Sequence, residues 1–409
     1  MDLDKNLEKY ADLLVNIGLN LKLGDKLAIR FTEEALPLVR IVNKKAYQKG
    51  VIDVKLDFSD DEITLQRFLN APDITFETFP EYEVDYREKM FLDNYHILSL
   101  VSPNPELLKI VNPTKIATWQ RTAGRASKRI QKYTMENKNK WCVAGVACKA
   151  WAKAAFPALS EEEGMQKLWQ NIFAATRVDQ EDPVAAWKVH NDALKRHQSY
   201  LNEARFEKLH YQGPGTDLEV HLVADHAWVG GSGVSQGGDV FMANIPTEEI
   251  FTMPHADKVN GTLRATMPLS VRGQLVDKFH FTFKEGQVVD FDAEVGKQIL
   301  ADILEMDDGA KRLGEAALVA HNSPISNTGI LFKNTLFDEN ASCYFALGAA
   351  YSENLPGSAA RSTEENRKLG MNDSLVHVDF MVGGPDVTVT GVKHDGTKVV
   401  LLQDGEWQV

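Results

Sequence analysis

Hydrophobic and polar positions give the first half of the chain an alternation of helices and strands. Apolar residues at near-helical spacing predict helices over residues 3–19 and 33–50. Short apolar or alternating runs predict strands over residues 26–31, 51–58, 95–101 and 141–146. Strands separated by helices indicate a parallel or mostly parallel α/β layer. A highly charged stretch over residues 179–209 reads as a long helix that leads out of this region.

The second half has a different pattern, in which short strands are separated by glycine turns. Strand patterns cover residues 217–223, 261–267, 278–284, 287–291 and a hairpin over 386–400, and helix patterns cover 294–306 and 339–351. This pattern is typical of an α+β domain with a large, mainly antiparallel sheet. We therefore predict an α/β domain over residues 1–205 and an α+β domain over residues 206–409.

Composition narrows the classes of function. The chain has 409 residues, of which 44% are hydrophobic and 25% charged, as in ordinary globular proteins. A net charge of −13 argues against nucleic acid as a partner, because phosphate binding needs a basic surface. No apolar run approaches the roughly 18–20 residues that span a bilayer, and the first residues lack the layout of a signal peptide. The three cysteines, without paired spacing, predict buried free thiols in the cytoplasm.

The most informative chemical pattern is the strand-like run over residues 374–382, which holds His377 and Asp379. Side chains alternate along a strand, so these two point the same way while the apolar residues between them take the other face. A carboxylate in such a segment is costly to bury without compensation. A divalent metal ion would compensate it, and a His–Asp pair suits zinc, cobalt or manganese. A hydrogen-bonded His–Asp pair would explain the same spacing.

Adjacent carboxylates at Glu248 and Glu249 lie between Pro246 and Pro254. On a regular strand they would face opposite ways. The prolines favour an irregular segment, in which both side chains could converge on one cavity. One could then bind a metal ion while the other acts as the general base. The alternative is a solvated pair at a turn.

Two further segments carry weaker signals. Glu315 has small apolar neighbours, which fits either a buried ligand or an exposed residue at a strand end. Residues 337–351 resemble a helix that begins with acidic residues and has Tyr344, Gly348 and Tyr351 on one face. Such a helix could equally pack on the sheet through its tyrosines.

Taken in order, the segments at residues 244–252, 313–319, 336–343 and 370–383 resemble the aminopeptidase T/aminopeptidase S family of metallopeptidases, including bacterial peptidase S. The resemblance spans essentially the whole chain. It implies a homodimer that acts on peptide substrates and releases their N-terminal amino acids. It also implies two divalent metal ions per chain, held by the C-terminal domain with its large antiparallel sheet.

The resemblance implies a role for each residue singled out above. Metal ligands would be Glu249, Glu315, Tyr351, His377 and Asp379, and Glu248 would be the catalytic base. Tyr344 departs from the family, because a histidine ligand is expected at its position. A neutral phenol, with a reference pKa of about 10, is a poor metal ligand. The second metal could therefore bind weakly, or the phenolate could serve as a ligand, or the chain could be an altered and poorly active form.

Two alternative functions follow. One is a catalytically impaired homologue that binds metal or peptide without turnover, because Tyr344 replaces an essential ligand. The other is a hydrolase of non-peptide amides, which would contain the same metal but fail on peptides. Metal content and a substrate panel would distinguish them.

Overall fold

A computed structural model describes residues 1–271 and 274–409 of the chain. Its strands are β1 Lys26–Phe31, β2 Asp53–Phe58, β3 Tyr95–Val101, β4 Trp141–Gly145, β5 Lys208–Gly213, β6 Thr216–Leu222, β7 Val229–Gly230, β8 Gly233–Val234, β9 Val240–Phe241, β10 Asn244–Ile245, β11 Ile250–Thr252, β12 Pro254–Arg264, β13 Leu269–Val271, β14 Gln274–Lys284, β15 Gln287–Val295, β16 Leu313–Leu318, β17 Tyr344–Gly348, β18 His377–Met381, β19 Thr388–Val392, β20 Lys398–Gln403 and β21 Glu406–Trp407. Its α-helices are α1 Leu3–Leu13, α2 Leu36–Gln48, α3 Asp61–Asn70, α4 Ile74–Glu77, α5 Glu81–Leu92, α6 Pro113–Met135, α7 Lys149–Ala155, α8 Glu161–Ala175, α9 Pro183–Ala204, α10 Lys297–Leu304, α11 Thr335–Asp338 and α12 Thr363–Lys368. Within the described ranges, no helix is long and apolar enough to cross a membrane.

The chain forms two compact units. The first contains Met1–Val189 and Ser232–Pro246, and the second contains His190–Gly231 and Thr247–Val409. The division at residue 205 that the sequence suggests stays a prediction.

The first unit contains a parallel sheet with the strand order β10-β4-β3-β1-β2. Helices connect its strands, which confirms the α/β expectation for this region. Strands β1 and β3 have the bounds that the apolar runs predict. The first helix starts after Asp2, whose side chain accepts a hydrogen bond from the Lys5 amide and so caps an otherwise unpaired donor.

A buried ion pair lies inside this unit. The Lys140 side chain is 0% exposed, and its Nζ donates to Asp25 Oδ2 at 2.6 Å and to the Asn20 carbonyl at 3.1 Å. His96 Nε2 lies 3.4 Å from Asp25 Oδ1. Burial by itself would raise the pKa of Asp25, but hydrogen bonds from His96 and Lys140 outweigh it and hold that pKa well below its usual value.

The second unit contains two antiparallel sheets. The nine-stranded sheet has the order β13-β14-β12-β6-β5-β19-β20-β21, with β15 paired to β14, and the five-stranded sheet has the order β18-β17-β16-β11-β7. Aromatic side chains join them: Phe281 of β14 and Phe380 of β18 have ring centroids 5.3 Å apart, and Tyr211 of β5 and Phe345 of β17 are 4.8 Å apart. One face of the five-stranded sheet therefore belongs to the core between the sheets.

The helix predicted over residues 339–351 is wrong. After a 3-10 turn at Glu339–Ala341, residues Tyr344–Gly348 form β17, and all five are buried. A short apolar run does not distinguish a buried strand from a buried helix, and here pairing with β16 and β18 decides. Tyr344 and Tyr351 therefore do not share a helical face.

Candidate metal centre

Strand register brings residues from three strands onto one face of the five-stranded sheet. Glu315 of β16 pairs with Ala346 of β17, and Ala346 pairs with Asp379 of β18. His377 pairs with Gly348, two positions along the same strands. Directly paired residues, and residues two apart, share a face. The small Ala346 and Gly348 leave room above the central strand for the acidic and imidazole groups on either side.

The resemblance to metallopeptidases implies that the large antiparallel sheet carries the metal site. The candidate residues instead lie on or beside the smaller, five-stranded sheet, on the face opposite the aromatic core. The reason is the alternation along β17: Phe345 and Leu347 point into the aromatic core, whereas Tyr344, Ala346 and Gly348 point to the opposite face.

Glu315 is buried, which excludes the alternative of an exposed residue at a strand end. It is 2% exposed, and every residue of β16 is buried. A bulge lies between Leu313 and Glu315, where a Cβ on Gly314 would be 2.2 Å from the Gly348 carbonyl oxygen. Only glycine fits this close approach. The bulge therefore depends on the sequence Leu-Gly-Glu.

Tyr344 joins two of the carboxylates. Its hydroxyl lies 2.7 Å from Glu249 Oε2 and 2.8 Å from Glu315 Oε1. Burial, followed by the charge of Glu315, raises the pKa of Glu249 to about 8. Burial and the surrounding carboxylates also raise the pKa of Tyr344 well above its ordinary value, so the phenol is neutral. A phenol has one proton, so it can donate fully to only one carboxylate at a time, and a protonated Glu249 would satisfy the other contact.

His377 directs one ring nitrogen at the carboxylates. Its Nδ1 lies 2.7 Å from the Ala349 carbonyl oxygen, which favours a proton on Nδ1. Its Nε2 lies 3.2 Å from Glu315 Oε2 and 3.1 Å from Asp379 Oδ1. Burial lowers the pKa of His377, but Asp379 and Glu315 outweigh this effect and raise that pKa to about 11.

The arrangement suits a divalent cation. Glu315, His377 and Asp379 each offer one ligand atom, and these atoms lie within 4.8 Å of one another. Asp379 Oδ1 is buried and accepts no well-formed hydrogen bond within the described residues, although His377 Nε2 is near. An unsatisfied carboxylate oxygen among buried carboxylates is costly. Carboxylate oxygens with one imidazole are ligands for zinc and related ions.

Tyr351 reaches the cluster through its ring. It lies after β17, directly before the 3-10 turn Ser352–Asn354, and its ring centroid is 4.7 Å from that of His377. On its other side it makes an edge contact with Phe251 at 6.1 Å. Burial, followed by the charge of Glu315, raises the pKa of Tyr351 above its ordinary value. Its role as a ligand stays a prediction.

Glu248 and Glu249 have different surroundings. Both are buried, in the segment directly before β11. Glu249 contacts Tyr344, whereas Glu248 Oε2 lies 3.5 Å from His190 Nε2. The same nitrogen lies closer, at 2.8 Å, to the carbonyl oxygen of Thr247. The Glu248 amide donates to Asn340 Oδ1 at 2.7 Å. The irregular segment expected from the prolines thus places the two glutamates among different partners.

Sequence reasoning missed two neighbours of the site. His190 lies in α9, and its approach to Glu248 arises only through the fold. Glu339 belongs to the acidic start of the helix predicted over residues 337–351, yet it lines a cavity together with Asp379, Lys333, Leu269 and Met381. Burial, followed by the charges of Glu249, Asp379 and Glu315, raises the pKa of Glu339 well above its ordinary value. The acidic pair at Asp338–Glu339, beside the proposed ligands, was the available signal.

Comparison with known proteins identifies the family. The family described as thermophilic metalloprotease (M29) matches residues 3–407. The chain belongs to the M29 family. It is therefore a metallopeptidase homologue and a hydrolase, as the four ordered segments predicted.

Relatives of this M29 protein are similar over their whole length. It is 46% identical over 404 residues to aminopeptidase 2 of Geobacillus stearothermophilus, covering 99% of this chain and 98% of that protein. It is 42% identical over 405 residues to aminopeptidase T of Thermus aquaticus, covering 99% of each. Among solved structures, wild-type AmpT from Thermus thermophilus matches with a TM-score of 0.93 at 40% identity, over 99% of both chains.

Proposed function

We propose that this chain is a metal-dependent aminopeptidase that releases N-terminal amino acids from peptides by means of water activated at a two-metal site. The observation that carries the proposal is the meeting of Glu249, Glu315, His377 and Asp379 on one face of the five-stranded sheet. The M29 relatives are named aminopeptidases, which supports the choice of substrate.

Glu315, His377 and Asp379 would form the centre of the metal site, with Glu249 and Tyr351 completing the ligand set. The ions would be zinc, cobalt or manganese, which accept carboxylate and imidazole ligands. When bound, they would polarise the scissile carbonyl and lower the pKa of water. The Ala349 carbonyl holds the His377 ring so that Nε2 faces the carboxylates.

Glu248 is the proposed general base. It is buried, and its carboxylate lies 3.5 Å from His190 Nε2, whereas Glu249 contacts Tyr344. Its carboxylate would accept a proton from the attacking water and later deliver this proton to the leaving amine. A carboxylate of the cavity or a metal ion would hold the free α-amino group of the peptide, and cleavage would then be confined to the first residue.

The direct test is hydrolysis of amino-acid p-nitroanilides with and without a chelator. We expect turnover to disappear on metal stripping and to return when zinc, cobalt or manganese is added. Peptides with an acetylated N-terminus are the matched control and should resist cleavage, because they lack the free amine. Activity that survives metal stripping would overturn the proposal.

A second candidate is a metal- or peptide-binding homologue with little turnover. The observation that favours it is the double contact of the Tyr344 hydroxyl with Glu249 and Glu315. In that case the wild-type protein would be inactive on every p-nitroanilide, and activity would appear only in the Tyr344→His variant. A panel that also contains non-peptide amides would identify a hydrolase of such amides.

Two further proposals concern the assembly and its location. We propose a homodimer, which sedimentation velocity would show as twice the chain mass, and a cytoplasmic location, which cell fractionation would test. The three cysteines are buried and free, as the sequence predicted, which is compatible with a reducing compartment.

A further inference from the structure

The Tyr344 side chain lies between two carboxylates that come from different parts of the chain, and the proposed reaction gives it no role. Glu249 precedes β11, and Glu315 lies within β16. The Tyr344 hydroxyl is at hydrogen-bonding distance from both, at 2.7 Å and 2.8 Å. Its side chain is 3% exposed, so water cannot readily replace it. The phenol is thus a bridge inside the proposed ligand set.

This bridge divides the ligand set into two parts. Glu315 Oε1 contacts Tyr344, whereas Glu315 Oε2 lies 3.2 Å from His377 Nε2. The group whose ligand atoms lie within 4.8 Å of one another is Glu315, His377 and Asp379. Glu249 lies on the other side, where its Oε2 is engaged by the phenol. A metal ion at Glu315, His377 and Asp379 would therefore find its ligand atoms close together, whereas an ion that uses Glu249 would first have to displace the Tyr344 hydroxyl.

We propose that Tyr344 makes the two metal positions unequal: one ion binds first at Glu315, His377 and Asp379, and a second, which needs Glu249, binds only when the Tyr344 bridge is broken. This inference rests on the proposed metal site. An ion held by Glu249 must break the contact between Glu249 Oε2 and the Tyr344 hydroxyl, whichever of the two groups donates the proton. Loss of a hydrogen bond in a network that includes a charged carboxylate corresponds to an affinity roughly 10- to 100-fold lower for the second ion.

The test is calorimetric titration of the metal-stripped full chain with Zn²⁺, together with elemental analysis after dialysis at controlled free Zn²⁺. We expect the wild type to bind one ion tightly and a second roughly 10- to 100-fold more weakly. Tyr344→Phe removes the hydroxyl and should narrow this gap. Tyr344→His removes the bridge and adds an imidazole, so it should bind two ions of similar affinity.

Tyr211→Phe is the matched control. Tyr211 is a buried tyrosine of the same unit, its ring packs on Phe345 next to Tyr344, and its hydroxyl has no hydrogen-bond partner among the described residues. Its removal should leave the gap between the two affinities unchanged. This control separates loss of the bridge from loss of a buried phenol in general. Circular dichroism of each variant verifies that it is folded.

The outcomes separate the inference from the proposed function. Two ions of equal affinity in the wild type would overturn the inference and leave the proposed function intact. A gap that neither Tyr344 variant narrows would also overturn it. Failure of the wild type to bind any Zn²⁺ would overturn the proposed function itself. If Tyr344→Phe does not fold, the wild-type titration and Tyr344→His still decide.

Discussion

Each compact unit contains a buried cluster of charged side chains, and the two clusters are built differently. In the first unit the buried Lys140 is matched by Asp25, with His96 beside it. In the second unit four acidic groups, Glu249, Glu315, Glu339 and Asp379, surround the imidazole of His377. The first cluster is complete within the protein. The second has an excess of negative charge that a cation would neutralise, so the comparison separates a structural ion pair from a candidate ligand site.

The largest expected effect concerns the division of labour between the two adjacent glutamates. Glu248→Gln should reduce turnover by about 10²–10⁴-fold while metal content stays nearly unchanged, because a general base contributes that much to the rate. Glu249→Gln or Asp379→Asn should lose metal, since each removes a proposed ligand. Steady-state kinetics and elemental analysis of the same preparations measure both effects.

If Glu248→Gln contained no metal and Glu249→Gln kept its full metal content, Glu248 would be the ligand and Glu249 the general base. Equal metal loss in both variants would make both residues ligands. No effect on either turnover or metal content would show that the site has been placed wrongly.

Removing one partner of the Lys140–Asp25 ion pair in the first unit should lower the stability of the protein. Asp25→Asn leaves the fully buried Lys140 ammonium with only the more distant carboxylate of Asp239, at 3.9 Å. Removing one partner of a buried pair typically costs about 3–5 kcal/mol in the free energy of unfolding. Urea denaturation measures this loss. Asp93→Asn is the control, because it breaks an exposed pair with Lys89 that is worth at most about 1 kcal/mol. Equal losses of stability in the two variants would contradict the distinction between the buried and the exposed ion pair.

His190 offers a smaller, sharper test of the second cluster. His190→Ala should reduce kcat by roughly 10-fold, because His190 contacts the Thr247 carbonyl and the Glu248 carboxylate and so holds Glu248 in place, with KM and metal content nearly unchanged. His190→Gln, which keeps a hydrogen-bonding group, should recover part of the loss. His197→Gln is the control, because His197 lies on the same helix but stacks on Trp407. A change in KM or metal content with unaltered kcat would argue against a positioning role.

The smallest expected effect is the acid dependence of stability. The pKa of folded Asp25 lies below its unfolded value of about 3.9, so its stabilising contribution is present above that value and is lost as pH falls through the folded pKa. Asp25→Asn should therefore flatten the fall of stability below about pH 4. Urea midpoints between neutral and acidic pH, compared with those of Asp93→Asn, measure this slope. An unchanged slope would show that Asp25 is not linked to acid unfolding.

Local patterns were enough to predict much of this molecule. The alternation of helices with β1 and β3, and the glycine-punctuated strands of the second half, followed from the spacing of apolar residues. The common orientation of His377 and Asp379 also followed, because side chains two apart on a strand share a face whatever the strand pairs with. Family membership followed from four short segments in a fixed order.

Only the tertiary structure decided which side chains meet. Tyr344 contacts Glu249 across a sequence separation of 95 residues, and His190 reaches Glu248 from a helix of its own. Whether Tyr344 lies on a helix or a strand depended on hydrogen bonds to β16 and β18, which no local pattern contains. Periodicity records which face of an element a residue occupies, whereas register between strands and packing between elements determine its neighbours. The sequence therefore determined the candidate ligand types and the family of the chain, and the fold decided that one phenol stands between two of the carboxylates.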